Sequence, residues 1–339
     1  MSIKKGGKIA LFFITVAFLS GLFLFGWWRK NTSPVSPTQE ETVFIITKGS
    51  STYQIGEKLY EKGLIRNPFV FRVYVRFLAS QNNMNFGEFI LSPSMNISEI
   101  VNTLQGKPVE IWVTIPEGLR LTQMVEVFVN NLKKSGDDAE NFRREFLEKS
   151  RGREGFLFPD TYLFPPDAGA SLVVDKMSLT FELKVIRGLE DEINESPYGL
   201  DEIITMASII EREAKTNEER PLVAGILWKR IETPGWLMQA DATLQYAVAN
   251  AKCPQYKHDC NWWPILTKED MGIDSYYNSY KHDGLPPTPI ASPGLSSIKA
   301  ALNPQPSDYW FYIHDLEGKI RFAKTLDEHN TNIGKYLRR

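Results

Sequence analysis

The chain has 339 residues, 24% charged and 42% hydrophobic, with 39 Lys plus Arg against 41 Asp plus Glu for a formal net charge of −2. That apolar content excludes a disordered stalk, and the absence of a basic surplus argues against nucleic acid as a partner. The length suits two modest domains or one large one.

The first element is an apolar run. Residues 9–28 carry no charge; Lys4, Lys5 and Lys8 precede them, Arg29 and Lys30 follow, and Trp27 and Trp28 close the run. A helix rising about 1.5 Å per residue crosses a bilayer core in roughly 20 residues. A cleavable signal has a shorter apolar core and a small-residue cleavage site, which Trp27-Trp28-Arg29-Lys30 does not provide. The reading is a single uncleaved transmembrane helix at 9–28 with a cytoplasmic tail at 1–8, because lysines stay inside. The remainder then lies outside the inner (cytoplasmic) membrane, periplasmic or extracytoplasmic. Substrates are thereby limited to cell wall, lipids, exported proteins and small solutes. Residues 29–42, with two prolines and several hydroxyl side chains, read as a linker.

Three strand–turn–helix units follow, each switching from period two to helical spacing. They comprise strand 43–47 with helix 52–61, strand 86–91 with helix 97–104 opened by a Ser98 cap, and strand 110–115 with helix 121–132. They read either as true repeats or as the ordinary content of an α+β domain. A charged stretch, 135–153, leads into EGFLFPDTY at 154–162, which looks like a packed corner between domains. Residues 172–194 are helical in pattern. A stronger helix starts at Asp201 and ends in Glu211-Arg212-Glu213-Ala214, another spans 219–230, and a hairpin of strands 309–313 and 320–322 turns at Glu317-Gly318.

Cys253 and Cys260 enclose Pro-Gln-Tyr-Lys-His-Asp. In an oxidising compartment a disulfide is the leading reading. A metal site with His258 as third ligand is the alternative, lacking a fourth partner at a usual spacing. The four histidines are scattered, and the nucleophile elbow, phosphate loop and dinucleotide fingerprint are absent. What remains is carboxylate acid–base chemistry, requiring no cofactor and no metal. Glu211 and Glu213 end the apolar helix, roughly 80° to either side of the Ile203–Ile210 stripe at 100° per residue. Desolvation there would keep a carboxyl protonated near neutral pH, as a general acid requires. Helical geometry does not choose between the two, and both could instead be solvated and paired with Arg212 or Lys215. Downstream, Gln239, Asp241, Thr243 and Tyr246, then Tyr277, Asn278 and Tyr280, interleave amides, carboxylates and aromatic rings. A sugar groove has that composition, and so does a polar loop region cemented by aromatics. The proline-rich 284–294 reads as a rigid wall.

With EGFLFPDTY (154–162), MASIIERE (206–213), QADAT (239–243), YNSY (277–280), GLPP (284–287), SPG (292–294) and His329-Asn330 in this order, the chain resembles the membrane-bound endolytic murein transglycosylases, the YceG-like family, from about residue 43 to 337. The resemblance implies an α+β fold: a membrane anchor, a LysM-like wall-binding region at 43–150, and a mixed α/β catalytic domain at 151–339. It implies cleavage of the MurNAc–GlcNAc bond in nascent glycan strands to leave 1,6-anhydroMurNAc ends, terminating glycan polymerisation. A single catalytic glutamate acts, aligned as Glu213, with Glu211 as fallback because Ala214 stands where related enzymes place Ser or Thr. Gln239, Asp241, Thr243, Tyr246, Tyr277, Asn278 and Tyr280 carry over as substrate-binding. Peptidoglycan, the inner membrane, penicillin-binding proteins and other cell-wall synthesis proteins are the implied partners. The rivals are a non-catalytic wall-binding scaffold and a muramidase-type hydrolase.

Overall fold

The computed structural model describes residues 3–47, 49–77, 84–106, 108–253 and 260–337, with side chains from residue 13 onward. The chain divides into two compact units, Met1–Ile111 with Pro165–Asp167, and Trp112–Phe164 with Ala168–Arg339.

The first unit opens with helix α1 (Ile3–Thr32), 30 residues long, with Phe18, Leu22 and Phe25 exposed. Counted over the described residues, no helix is long and apolar enough to cross a membrane. The expected span begins at Ile9, and residues 9–12 lie outside the described side chains. Beyond α1, β1 (Thr42–Ile46) pairs antiparallel with β2 (Gly87–Leu91), Thr42 opposite Leu91 and Ile46 opposite Gly87. Two helices, α2 (Thr52–Glu61) and α3 (Pro68–Phe77), connect the strands in a βααβ arrangement, and α4 (Ile97–Gln105) follows. Period-two alternation turns Phe44, Ile46, Phe89 and Leu91 inward, onto Ile55 and Leu59 of α2 and Val70 and Phe71 of α3. Ser51 caps α2 and Gln54 returns the bond. The cap of α4 is Asn96, whose side chain accepts from the Glu99 amide at 3.0 Å, two residues before the expected Ser98. Ser98 lies inside the first turn, where its own amide needs the cap. The expected turn at 48–50 includes Lys48, which lies outside the described residues.

In the second unit, β3 (Ile111–Thr114) pairs with β4 (Thr161–Phe164), so the third strand–turn–helix repeat is a local pattern and not a third copy of one fold unit. Helices α5 (Leu121–Asn131) and α6 (Gly136–Lys149) belong here. Phe128 packs against Phe146 at 6.0 Å and Phe164 at 5.6 Å, within the compact unit that begins at Trp112, whereas the sequence reading sets its division at 150/151. Within the 154–162 corner, Leu157, Phe158 and Tyr162 are buried, and Phe158 joins the core of this unit. Helix α7 (Ala170–Phe181) continues through one π turn (Glu182–Ile186) into α8 (Glu190–Glu195).

The core is centred on α9 (Leu200–Glu213). Every residue from Ile203 to Ile210 is buried, so the expected apolar stripe is a helix enclosed on all sides. It packs against α10 (Arg220–Glu232), α11 (Asp241–Lys252) and α12 (Leu295–Leu302). Ser208 tolerates this by donating to the Thr205 carbonyl and accepting from the Ile290 amide. The chain closes with the hairpin of β5 (Phe311–His314) and β6 (Ile320–Ala323) and helix α13 (Leu326–Tyr336). Cys253 and Cys260 are joined by a disulfide with Cα atoms 5.9 Å apart. That uses both thiols the metal alternative required; its third ligand, His258, lies outside the described residues.

Candidate active site

The enclosed helix delivers two glutamates in opposite directions at its end. Glu211 turns towards α12. Its Oε1 accepts from Arg220 at 2.7 Å, and its Oε2 accepts from the Gly294 amide at 3.0 Å and the Ser297 hydroxyl at 2.8 Å. Both side chains of the ion pair are nearly inaccessible, at 7% and 9%. Glu117 stands 3.8 Å from the same arginine, and burial, then the Glu211 charge, raises its pKa. A Cβ at Gly294 would land on the Glu117 carboxylate, which would have to swing aside. Glu211 is thus consumed in joining α9, α10 and α12.

Glu213 turns the other way, into a cleft of about 320 Å³. Its Oε2 accepts from the Tyr312 hydroxyl at 2.9 Å, and its Oε1 receives a long 3.3 Å contact from the Ala242 amide. Glu213 keeps some solvent exposure as a residue, yet its carboxyl lies deep enough that burial dominates its proton affinity and raises its pKa. The Tyr312 and Ala242 bonds and the Arg230 charge oppose that rise, while Asp241 adds to it. Burial and the neighbouring Glu213 push Tyr312 well above the usual phenol range, so it remains a donor.

The walls are held by a small set of bonds. Arg230, at the end of α10, donates Nη1 to the Met238 carbonyl at 2.6 Å and Nε to the Trp310 carbonyl at 2.9 Å, tying the loop before α11 to β5. Gln239 adopts a left-handed φ of 54°, unusual for a residue with a Cβ. Its amide donates to the Ser279 carbonyl, and the Ser279 hydroxyl receives the Ala240 amide at 3.0 Å. The Tyr280 hydroxyl donates to Asp241 at 2.5 Å, with its pKa raised by burial and that carboxylate. His329 of α13 lines the cleft, and burial, then Arg230, lowers its pKa, favouring a neutral ring.

Of the residues expected to contact substrate, Gln239, Asp241 and Tyr280 stand in this cleft with Glu213. Thr243 does not: it is buried and bonded to the Ala240 carbonyl and Ser279. Asn278 is likewise buried, donating to the Met271 and Ile273 carbonyls. Tyr277 bonds Thr288, and Tyr246 lines a second cavity. Thr243 and Asn278 thus sit on the scaffold behind the loop. Arg230 and Tyr312 were missed, since neither lies near Glu213 in sequence. No group of His, Cys, Asp and Glu able to hold a metal occurs among the described residues. The arrangement offers one buried carboxyl able to give and retake a proton, beside a carboxylate and a tyrosine suited to sugar hydroxyls.

The chain is similar to several known proteins. The model of the YceG-like family matches residues 44–335. An endolytic murein transglycosylase of Bacillus subtilis (strain 168) is 30% identical over 345 residues, covering 94% of this chain and 91% of that protein. One of Streptococcus pneumoniae serotype 2 is 26% identical over 369 residues; the match covers 96% of this chain and 64% of the longer relative. The 2.6 Å crystal structure of a yceG-like protein from Listeria monocytogenes superposes with a TM-score of 0.55 at 32% identity, covering 87% of this chain and 99% of that one.

Proposed function

The chain belongs to the YceG-like family, and from its site and its relatives we infer that it is a peptidoglycan lytic transglycosylase, a lyase cutting the MurNAc–GlcNAc bond within glycan strands. The observation that carries the reading is the Glu213 carboxyl, buried, raised in pKa and bonded by Tyr312 on one oxygen only. The other oxygen, Oε1, receives only the long 3.3 Å contact from the Ala242 amide, and the carboxyl lines the cleft. Glu213 protonates the glycosidic oxygen as the bond to the MurNAc anomeric carbon breaks and positive charge develops there. The resulting carboxylate takes the proton of the MurNAc 6-hydroxyl, whose oxygen closes on the anomeric carbon. The products are a GlcNAc hydroxyl end and a 1,6-anhydro ring, with no water consumed. Intramolecular attack supplies effective concentration, so one carboxyl suffices. Gln239, Asp241 and Tyr280 orient the sugars.

The βααβ arrangement of the first unit supports a LysM-like wall-binding role. The apolar run 9–28 with its preceding lysines supports a single-pass anchor in the inner membrane, amino terminus inside and the catalytic unit outside. An anchored cutter of this kind meets strands as they leave the polymerases. It would terminate glycan polymerisation and work beside penicillin-binding proteins and other cell-wall synthesis proteins. A second reading, a muramidase-type hydrolase, draws on Asp241, a second carboxylate in the cleft able to activate water. Mass spectrometry of products from intact sacculi, digested by the full chain in detergent, separates the readings. Anhydro ends support the lyase, reducing ends support the hydrolase, and no release supports a non-catalytic scaffold.

A further inference from the structure

A second cavity, about 360 Å³, opens in the same unit, and the catalytic steps above leave its residues unused. Arg120 forms part of its wall and is only 3% exposed. Its guanidinium lies over the Tyr246 ring at 4.0 Å and the Trp262 ring at 4.7 Å, and Nη2 donates to the Asn250 side chain. Among the described residues, Nε and Nη1 have no hydrogen-bond partner, and neither does the buried hydroxyl of Thr122 beside them in the wall. Buried donors on a charged group are costly when unmatched, and a planar guanidinium edge matches a planar carboxylate. We propose that this cavity binds the carboxylate-bearing peptide arm of the glycan strand, an inference that rests on peptidoglycan being the substrate.

The setting fits that class of ligand. Asn250 and Thr288 offer polar contacts for peptide groups, Tyr246 and Trp262 offer apolar faces, and Arg151 adds a second positive charge at the exposed side. Helix α11 carries a wall of each cavity, Asp241 at its start and Asn250 near its end. Nine residues of helix separate them by about 13 Å, a distance that about four extended peptide residues span. A strand seated at Glu213 can therefore place a peptide arm in the second cavity.

Glu154 is the competing anion. Its Oε1 accepts from the Leu121 amide at 3.0 Å, and the charged or titratable groups facing it are Arg120 and Tyr246, with Arg151 further out in the lining. Burial pushes its carboxyl up to about 7, with Arg120 opposing the rise. A ligand carboxylate displaces this charge most easily when Glu154 is protonated, so binding weakens as pH rises through that value.

The test is calorimetry of the full chain in detergent with an N-acetylated synthetic stem pentapeptide, compared with the same peptide amidated at every carboxylate. Neither contains a glycosidic bond, so binding is read without turnover. The acid form binds, and the amidated form binds at least tenfold more weakly. Between pH 6 and pH 8 the dissociation constant of the acid form rises about tenfold, as a competing group near 7 dictates, and Glu154→Gln abolishes the rise. Thr122→Val weakens binding without lowering the melting temperature, since that hydroxyl makes no bond among the described residues. Asp241→Asn, in the other cleft, leaves peptide binding unchanged. Equal affinity for acid and amide, a flat pH dependence in the wild type, or full binding by a folded Arg120→Gln protein would overturn the proposal. Where Arg120→Gln does not fold, Thr122→Val and Glu154→Gln decide. Absent peptide binding with sacculus cutting intact removes this proposal alone, and peptide binding without cutting removes only the enzymatic reading.

Discussion

Glu211→Gln and Glu213→Gln should fail in opposite ways. Glu211 accepts from Arg220 through one oxygen and from the Gly294 amide and Ser297 hydroxyl through the other. A glutamine there offers one oxygen and one NH2 group, which must face either the guanidinium or the Gly294 amide, donor against donor. Arg220 then loses the carboxylate nearest to it. Breaking one side of a buried pair costs about 3–5 kcal/mol, and for a domain of this size each kcal/mol lowers the melting temperature by about 2–4 °C. A loss of about 10 °C is the expectation, with cutting retained at temperatures where the protein is folded. Glu213→Gln keeps the shape but has no transferable proton for either half of the reaction. General acid–base steps are worth about 10²–10⁴ each, so activity should fall by at least about 10⁴. Its stability should not fall. The folded protein raises the pKa of Glu213, so this group contributes stability below the unfolded value of 4.5 and loses it as pH rises through the folded value. An amide never ionises, so the variant gains on the wild type as pH rises. The assay pairs thermal melts at pH 5 and pH 8 with counts of anhydro ends released from sacculi. An inactive Glu211→Gln with an unchanged melt, or an active Glu213→Gln, would refute the assignment.

Three further outcomes are expected. Tyr312→Phe removes a bond that holds the pKa of Glu213 down, so the basic limb of the pH–rate profile should move up by about one pH unit while the rate falls; an unmoved limb would place the tyrosine outside the reaction. Replacing Cys253 and Cys260 together by serine should cost about 2–3 kcal/mol by loop-closure entropy, read by denaturant titration; a stability equal to wild type would show that the disulfide does not contribute to folding stability. Protease added to osmotically opened cells with an intact inner membrane should digest both compact units, and their protection would overturn the proposed topology.

Legibility in the sequence followed the range of the interactions. Helix α9 and the β5–β6 hairpin depend on neighbours within a few residues, and the pattern located them, whereas the cap of α4 is Asn96 and not the expected Ser98. Gln239, Asp241 and Tyr280, which line the cleft with Glu213, stand in a polar loop and beside a tyrosine that carry a local composition. Thr243 and Asn278 share that composition but spend their polar groups on the scaffold, a difference that only three-dimensional bonding reveals. Arg230 looked like any cation at the end of a helix. Tyr312 lies 99 residues from Glu213, on a four-residue strand, with nothing local to mark it. The compact unit that begins at Trp112 was not legible for the same reason, since Phe128, Phe146 and Phe164 meet only after folding.

Glu213 is the last residue of α9, and the amide it touches belongs to Ala242 in the first turn of α11. The carboxyl therefore sits between two opposed helix macrodipoles: the negative pole of its own helix disfavours charge, and the positive pole of the next one favours it. Each pole is worth about 0.3–1 kcal/mol, more where partly buried. A group that must surrender a proton and reclaim it within one turnover is best served when neither state is a deep energy well. The antagonism of these two poles narrows the gap between acid and base, so the carboxylate left by the first transfer remains eager for the second. The rhythm of the reaction is written into the backbone of two helices, before any sugar arrives.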